Sequence, residues 1–197
     1  MKTKLFSLLF LSTFFLQSQN KFFDNLIEQA IAQTKIEISY DPAYTQISYP
    51  NGDVAANKGV CTDVVIRSYR GVGVDLQKEV HEDMQKHFSE YPKYWKLKKP
   101  DSNIDHRRVP NLMIFFKRHG AELSISQKPE DYKPGDMVTW NLQGKNTLVG
   151  ITHIGIVINQ KSTDGKRYMI AHNIGAGNKI DDILFDYVII GHYRYQK

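Results

Sequence analysis

Apolar residues in the first half of the chain recur at the spacing of one helix face, and this pattern predicts four amphipathic helices. Residues 41–57 are rich in Tyr, Pro, Gly, Asn and Asp, which predicts an extended loop between the first two helices. The predicted helices are one capped by Asp24 and running to Ala32, one that starts at Cys61 or Thr62 and ends before Gly71, one from about Leu76 to Phe88, and one with Pro110 in its first turn and Gly120 at its C-terminal end.

After Gly120 the pattern changes to short β-branched or aromatic runs bounded by turn residues, which is typical of β-strands. The predicted strands are residues 137–141, 151–159, 167–172 and 187–195. A turn signal at residues 163–166 lies between the second and third strands and predicts a hairpin. Helices followed by a strand meander predict an α+β domain with an antiparallel sheet.

The start of the chain has the pattern of a secretory signal peptide. Lys2 and Lys4 precede an apolar run over residues 5–16, and a polar segment follows. This run is shorter than the roughly 20 residues that a membrane-spanning helix needs. We therefore expect a signal peptide over residues 1–19, a single domain over residues 20–197, and no membrane span after the signal is removed. An uncleaved anchor and a buried helix are the alternatives.

Composition narrows the class of protein. The chain has 197 residues, of which 41% are hydrophobic and 24% charged, as expected for one folded domain and not for a disordered chain. A single cysteine excludes an intramolecular disulfide framework and a multi-thiolate metal site, and we expect neither metal nor cofactor. The net charge of +5 is not concentrated in one stripe, so we expect no nucleic-acid partner.

The single thiol, Cys61, is the main candidate for chemistry. A free thiol in an exported protein indicates a nucleophile or an intermolecular bridge, whereas a small buried apolar residue is the simpler alternative. Cys61 begins a predicted helix, and a helix N-terminus lowers the pKa of a thiol. His153 begins one predicted strand and His172 ends the next, so the hairpin can bring a base and an orienting group together. Asn173 is an alternative orienting group, but it faces the opposite side if the strand continues.

Several segments resemble a known class of enzymes. Cys61, Gly-Asp-Met-Val-Thr-Trp at 135–140, His-Ile-Gly-Ile-Val at 153–157 and Ile-Ala-His at 170–172 occur in the order seen in the NlpC-type cysteine peptidases of bacterial cell walls. Residues 40–44, 59–65 and 103–112 resemble, more narrowly, a bacterial family of unknown function within that superfamily. The narrow resemblance extends over residues 25–195. It implies a papain-like fold, with N-terminal helices packed on an antiparallel sheet of about five strands.

The resemblance also implies a function. It predicts an exported cysteine hydrolase, periplasmic or secreted, that cleaves an amide bond in peptidoglycan peptide and acts as a monomer. Cys61 matches the nucleophile, His153 the base and His172 the orienting third member. The alternatives are an N-acetylmuramoyl-L-alanine amidase on the same fold and a catalytically silent module that binds the cell wall.

Four further residues are candidates for the substrate or oxyanion site. Tyr49 matches a tyrosine upstream of the nucleophile that is credited in the family with helping the oxyanion, and the Cys61 backbone N–H at the helix start is a second donor. Arg107 and Arg108 can clamp a substrate carboxylate or brace a loop. Asp63 stands where the family's usual Asp-Cys-Ser-Gly segment has glycine, and it is more simply an acidic residue in the first helical turn.

The segment of residues 91–99 interleaves aromatic side chains with four lysines. Such a segment can stack on sugars and attract an anionic wall polymer. A solvated loop in which Tyr94 or Trp95 tucks into the core is the alternative.

Overall fold

A computed structural model describes residues 21–197 of the protein. The predicted signal peptide over residues 1–19 lies outside the described residues. Within residues 21–197, no helix is long and apolar enough to cross a membrane.

The four predicted helices are present, but the predicted cap of the first is wrong, because residues 21–23 are already helical and Asp24 lies within the helix. They are α1 (residues 21–33), α2 (Cys61–Gly71), α3 (Leu76–His87) and α4 (Val109–Arg118). The start of α3 shows why the sequence folds in this way, because the Asp75 side chain caps the helix by accepting a hydrogen bond from the Gln77 N–H at 3.1 Å. Three short 3₁₀ turns lie at Phe88–Glu90, Asp105–Arg107 and Pro129–Asp131.

The strands form one main sheet and one small ribbon. The short strands β1 (Ser39–Tyr40) and β2 (Lys58–Gly59) pair in parallel. The main sheet has five antiparallel strands in the order β6-β5-β4-β3-β7, namely β3 (Met137–Asn141), β4 (Thr152–Lys161), β5 (Tyr168–Asn173), β6 (Asn178–Asp181) and β7 (Val188–Tyr193).

The sheet confirms the expected antiparallel meander and has the five strands that the resemblance implies, one more than the apolar pattern predicts. Four of its strands overlap the four predicted runs, and β4 and β5 form the predicted hairpin, with Lys161 paired to Tyr168. Strand β6 was not predicted, because its sequence Asn-Lys-Ile-Asp has one apolar residue and lacks the apolar alternation of a half-buried strand. It is an edge strand whose residues are all partly exposed.

Two apolar clusters enclose the sheet from opposite faces. The larger one joins the helices to the sheet and contains Leu26, Tyr69 and Phe116. The smaller one lies on the other face and includes Trp140 and Leu184. Helix α2 packs directly against β4 and β5. This packing brings the helix that begins with Cys61 against the two strands that carry the predicted catalytic histidines.

Candidate active site

Cys61 is the first residue of α2 and is 6% exposed. Its sulfur accepts a hydrogen bond from the backbone N–H of Ile154, and the N–H of Thr62 also points at it. Ile154 directly follows His153 on β4. The thiol therefore lies on the face of β4 that α2 covers. The His153 side chain alternates to the opposite face, where its ring centre lies 5.7 Å from that of Trp140, and among the described residues no hydrogen bond joins Cys61 to either histidine.

The two predicted histidines are in contact. His153 Nε2 lies 2.9 Å from His172 Nδ1, and the two rings meet edge to face. His172 Nε2 in turn lies 3.0 Å from Asp181 Oδ2 on β6. Both histidines are buried, and the Asp181 side chain is partly exposed at the sheet edge. The result is a hydrogen-bonded chain that runs across three neighbouring strands.

This chain fixes the tautomers of both rings. An ionised carboxylate only accepts hydrogen bonds, so the Asp181 carboxylate requires the proton of His172 to be on Nε2. His172 Nδ1 is then an acceptor, and the bond at 2.9 Å requires the proton of His153 to be on Nε2. The unprotonated nitrogen of His153 is consequently Nδ1. A histidine with this tautomer can take a proton at Nδ1.

Asp181 was missed by sequence reasoning. Its strand lacks an apolar pattern, and the strand register that brings it to His172 is visible only in the structure. Lys179 is paired directly with His172 across β5 and β6, and Asp181 is two residues further along the same strand. Side chains two residues apart share a face of a strand, so an acidic residue at this spacing is a natural partner for His172.

Because Gly155 has no side chain, the His172 side chain on the neighbouring strand can lie close to it. A Cβ atom at Gly155 would lie 3.1 Å from the Cβ of His172 and 2.5 Å from Cγ2 of Ile170. The second distance is too short for any real contact, so a side chain at this position would force the Ile170 side chain to move and would crowd the Ala171 carbonyl and His172 on β5.

Burial has the largest effect on the pKa values of Cys61 and His153. It raises the pKa of the Cys61 thiol to about 11, against the opposing effect of the backbone N–H groups that point at the sulfur. Burial also lowers the pKa of His153 to about 3, with a smaller contribution from His172. The expectation that the helix N-terminus lowers the thiol pKa is corrected here, because desolvation is the larger effect. Thiol and imidazole are both neutral at pH 7 in the free protein.

A cleft of about 200 Å³ opens at Cys61. The residues around it include Tyr40, Trp95, Arg107, Arg108 and Thr152, and the rest are apolar. A wider surface groove of about 710 Å³ lies elsewhere, along the start of β7 and the loop after β3, and is not lined by any of the three predicted catalytic residues. The smaller cleft is lined by Cys61, though by neither His153 nor His172, and we therefore take it as the candidate substrate site.

Asp63 and Arg107 form a buried ion pair that braces the start of α2. Arg107 Nε donates to Asp63 Oδ1 at 2.9 Å and Arg107 Nη2 donates to Asp63 Oδ2 at 2.8 Å. Asp63 Oδ2 also accepts the Val60 N–H at 2.7 Å, and the Thr62 hydroxyl donates to the Arg107 carbonyl at 3.1 Å. These bonds hold the residues on both sides of Cys61. Of the two uses expected for Arg107, the geometry favours bracing.

Arg108 and Tyr40 line the cleft at Cys61, whereas Tyr49 does not. The Arg108 guanidinium lies over the Trp95 ring, 4.0 Å from its centre, at the edge of the cleft. Tyr49 packs against His81 of α3, with ring centres 5.0 Å apart, and does not line the cleft. The tyrosine that does line it is Tyr40 of β1. Burial, followed by the nearby Cys61 and Asp63, raises the pKa of Tyr40.

The structure distinguishes between His172 and Asn173, the two candidates for the orienting group. Asn173 donates to the Gly59 carbonyl at 3.5 Å and accepts the Gly175 N–H at 3.1 Å. These contacts direct its amide to the loop before α2, and His172 is the residue that contacts His153. Within residues 21–197, no three His, Cys, Asp or Glu side chains converge in a way that can hold a metal ion.

Comparison with known proteins identifies the family. The model of the family described as "Domain of unknown function (DUF1287)" matches residues 27–195. The chain belongs to this family. Over 156 residues it is 55% identical to the uncharacterized protein YijF of Escherichia coli (strain K12), which covers 79% of this chain and 73% of that protein. The expected bacterial family of unknown function is thus confirmed, and its place in the NlpC superfamily stays a prediction.

Two solved structures have a similar fold. Both are crystal structures of an N-acetylmuramoyl-L-alanine amidase from Bacteroides uniformis ATCC 8492, with TM-scores of 0.50 and 0.51 and sequence identities of 11% and 12%. Each match covers 89% of this chain and 100% of the amidase chain. At this identity the similarity establishes a shared fold. This DUF1287 chain therefore combines that fold with a buried thiol, two coupled histidines and a cleft at the sulfur.

Proposed function

We propose that the protein is a papain-like, NlpC-type cysteine hydrolase that cleaves an amide bond of peptidoglycan. The observation that carries the proposal is the position of Cys61. Its sulfur lies at the N-terminus of α2 beside β4, and the chain from His153 through His172 to Asp181 lies on the strands that α2 packs against. A thiol, a base and an orienting group are the three components of thiol catalysis.

The tautomers give a balanced reaction. The His153 ring must first turn toward the cleft, because it packs against Trp140 and does not contact Cys61 in the free protein. Cys61 sulfur then attacks the amide carbonyl while His153 Nδ1 takes the thiol proton, and the C–N bond breaks as His153 returns that proton to the leaving amine. Water hydrolyses the resulting thioester, which releases a carboxylic acid and restores the thiol. Because the resting thiol is neutral, proton transfer must accompany the attack. His172 and Asp181 are positioning residues in this scheme.

The negative charge that develops on the carbonyl oxygen needs donors at the cleft. The Cys61 backbone N–H, at the start of α2, is one such donor. The hydroxyl group of Tyr40 is the second, in the role that the sequence assigned to Tyr49, because Tyr40 lines the cleft.

Two amide bonds are candidates for cleavage. The bond within the peptide stem follows from the sequence resemblance to NlpC-type peptidases. The bond between muramic acid and the first alanine is favoured by the shared fold with an N-acetylmuramoyl-L-alanine amidase. Either substrate requires export, which the pattern of residues 1–19 supports, so we propose a periplasmic or secreted protein.

Digestion of purified peptidoglycan tests the proposal. The protein is incubated with peptidoglycan, and the released fragments are identified by mass spectrometry, with Cys61→Ala as the matched control. We expect new amine and carboxyl ends at one of the two bonds with the parent protein and none with the variant. Equal fragment patterns for both proteins would leave the silent wall-binding module as the better interpretation.

A further inference from the structure

The cleft at Cys61 has an unusual balance of charge. Two arginines, Arg107 and Arg108, are among its lining residues, and no aspartate or glutamate is. The charge of Arg107 is matched by Asp63, which holds it through two hydrogen bonds. Arg108 pairs with Asp105 through one nitrogen only, so its remaining donors are the ones left to meet a ligand.

The Arg108 guanidinium is held in place, but only one of its nitrogens makes a hydrogen bond. Its Nη1 donates to Asp105 Oδ1 at 3.1 Å, while its guanidinium plane rests on the Trp95 ring. Among the described residues, Nε and Nη2 of Arg108 have no hydrogen-bond partner. The Arg108 side chain is only 15% exposed, so water screens it little. A fixed and partly desolvated guanidinium with free donors is suited to bind a planar anion.

The helices that meet at the cleft add to its positive potential. Helix α2 begins at the cleft with Cys61, and α4 begins there with Val109 and Pro110. The N-terminus of each helix carries a partial positive charge. The other residues that line the cleft are largely apolar. They therefore favour contact with an uncharged part of the ligand that lies next to its anionic group.

We infer that Arg108 is a specificity-determining residue that binds a free carboxylate on the substrate, next to the amide that Cys61 attacks. This inference rests on the proposed function. The substrate class is then an acidic peptide, and a substrate whose carboxylate has been converted to an amide is disfavoured. Such an amide has no negative charge, and its NH₂ group would face the donors of Arg108.

The test uses two soluble peptidoglycan fragments, each a disaccharide with a tripeptide stem, that differ only at the α-carboxyl group of D-glutamate. This group is free in one fragment and amidated in the other. Turnover of both is measured with the parent protein, Arg108→Gln and Arg108→Lys. Arg118→Gln is the matched control, because Arg118 pairs with Asp83 at the opposite end of α4.

We expect the parent and Arg118→Gln to favour the acid fragment in kcat/KM by about tenfold or more, as for a charge-assisted arginine–carboxylate contact. Arg108→Gln should remove this preference, chiefly through the KM for the acid fragment. Arg108→Lys should keep part of the preference for the acid fragment, because lysine keeps the positive charge but lacks the planar guanidinium group that donates two hydrogen bonds to one carboxylate. Equal turnover of both fragments by the parent, or an unchanged preference in Arg108→Gln, would overturn the inference.

Binding separates this inference from the proposed function. The affinity of each fragment is measured by calorimetry with Cys61→Ala and with Cys61→Ala combined with Arg108→Gln. Tighter binding of the acid fragment that requires Arg108 supports the inference even when the parent cleaves neither fragment, a result that contradicts the hydrolase. Cleavage of both fragments without any difference in affinity supports the hydrolase and contradicts the role of Arg108.

Discussion

Asp181 decides which nitrogen of each site histidine is free to act. Through His172 it places the proton of His153 on Nε2 and leaves Nδ1 unprotonated. The second effect of the carboxylate is electrostatic. Burial lowers the pKa of His172, and the hydrogen bond to Asp181 opposes that shift. A negative charge at the end of the chain therefore favours positive charge on the histidines, as the proposed mechanism requires.

Substitution of Asp181 tests this role. Asp181→Asn keeps an acceptor oxygen for His172 and loses the charge, so we expect kcat to fall by about tenfold, as is typical for partners that orient a functional histidine. Asp181→Leu should lower kcat further, because the tautomers are no longer fixed. A purely structural role would predict the same pH profile for Asp181→Asn and the parent, whereas we expect a shifted acid limb.

The neighbouring acid provides the control for this substitution. Asp182 directly follows Asp181, pairs with Arg167 and does not contact His172. Asp182→Asn removes the same charge from the same segment, and we expect it to leave kcat and the pH profile unchanged. A loss of activity as large as that of Asp181→Asn would show that the effect is one of general surface charge.

The sequence allowed part of this site to be predicted. The contact between His153 and His172 was predicted because a hairpin turn constrains where their side chains meet. Cys61 meets neither histidine in the free protein, and the catalytic roles of the three residues stay predictions. Asp181 and Tyr40 were missed for a different reason. Each lies in a short strand with little apolar pattern, and each reaches the site only through strand pairing that no local sequence signal specifies.

At the scale of elements, a buried ion pair couples α2 to the turn before α4. Asp63 lies in the first turn of α2, and Arg107 ends the 3₁₀ turn at Asp105–Arg107. The exposed fractions of the two side chains are 4% and 2%. A buried pair of this kind adds little net stability compared with apolar residues, but removal of one partner leaves an uncompensated charge.

Asp63→Asn should therefore be strongly destabilising. We expect the free energy of unfolding to fall by about 3 kcal/mol or more, because the Arg107 guanidinium stays buried without its counter-charge. Activity should fall as well, since the Val60 N–H next to Cys61 loses its carboxylate acceptor. Chemical denaturation measures the first effect, and turnover at a temperature where the variant is folded measures the second.

An exposed ion pair between the end of α4 and the segment that follows it gives the comparison. Lys117 and Glu122 lie 3.2 Å apart, with both side chains largely exposed. Glu122→Gln should change the free energy of unfolding by less than about 1 kcal/mol. Similar losses for Asp63→Asn and Glu122→Gln would contradict the bracing role of the buried pair.

At the scale of the whole molecule, buried histidines make stability depend on pH. Burial lowers the pKa of His153 to about 3, and burial followed by Arg107 lowers that of His106 to about 3. Both groups titrate near 6.5 when unfolded. Between about pH 3 and 6.5 the unfolded chain binds more protons than the folded one, so stability falls as the pH is lowered through this range. Asp105, whose pKa burial raises to about 6, opposes this trend with a smaller shift.

We expect the free energy of unfolding to be about 2 kcal/mol lower at pH 5 than at pH 7, from the histidine shifts less the opposing shift of Asp105. Urea denaturation at the two pH values measures it. His106→Leu should reduce the difference, because it removes one of the two groups, while the exposed His87→Gln should leave it unchanged. An unfolding free energy that is equal at pH 5 and pH 7 in the parent would contradict the account.

The class of the fold followed from the order of its elements, whereas its details depended on tertiary packing. Four helices and then an antiparallel meander were predicted because each had a clear period and clear turn residues. The sequence did not reveal how strongly the helix layer would bury the site. The predicted pKa effect at Cys61 was therefore wrong, since a helix N-terminus acts on the thiol locally and desolvation depends on everything packed around it.

Turnover of a defined peptidoglycan fragment by Cys61→Ala, His153→Ala and the double variant tests the central claim most directly, with thermal melting as the folding control. If the two residues act as one unit, Cys61→Ala abolishes hydrolysis, His153→Ala is almost as severe, and the double variant is no slower than Cys61→Ala. A folded Cys61→Ala variant that turns over the fragment at the parent's rate would contradict thiol catalysis.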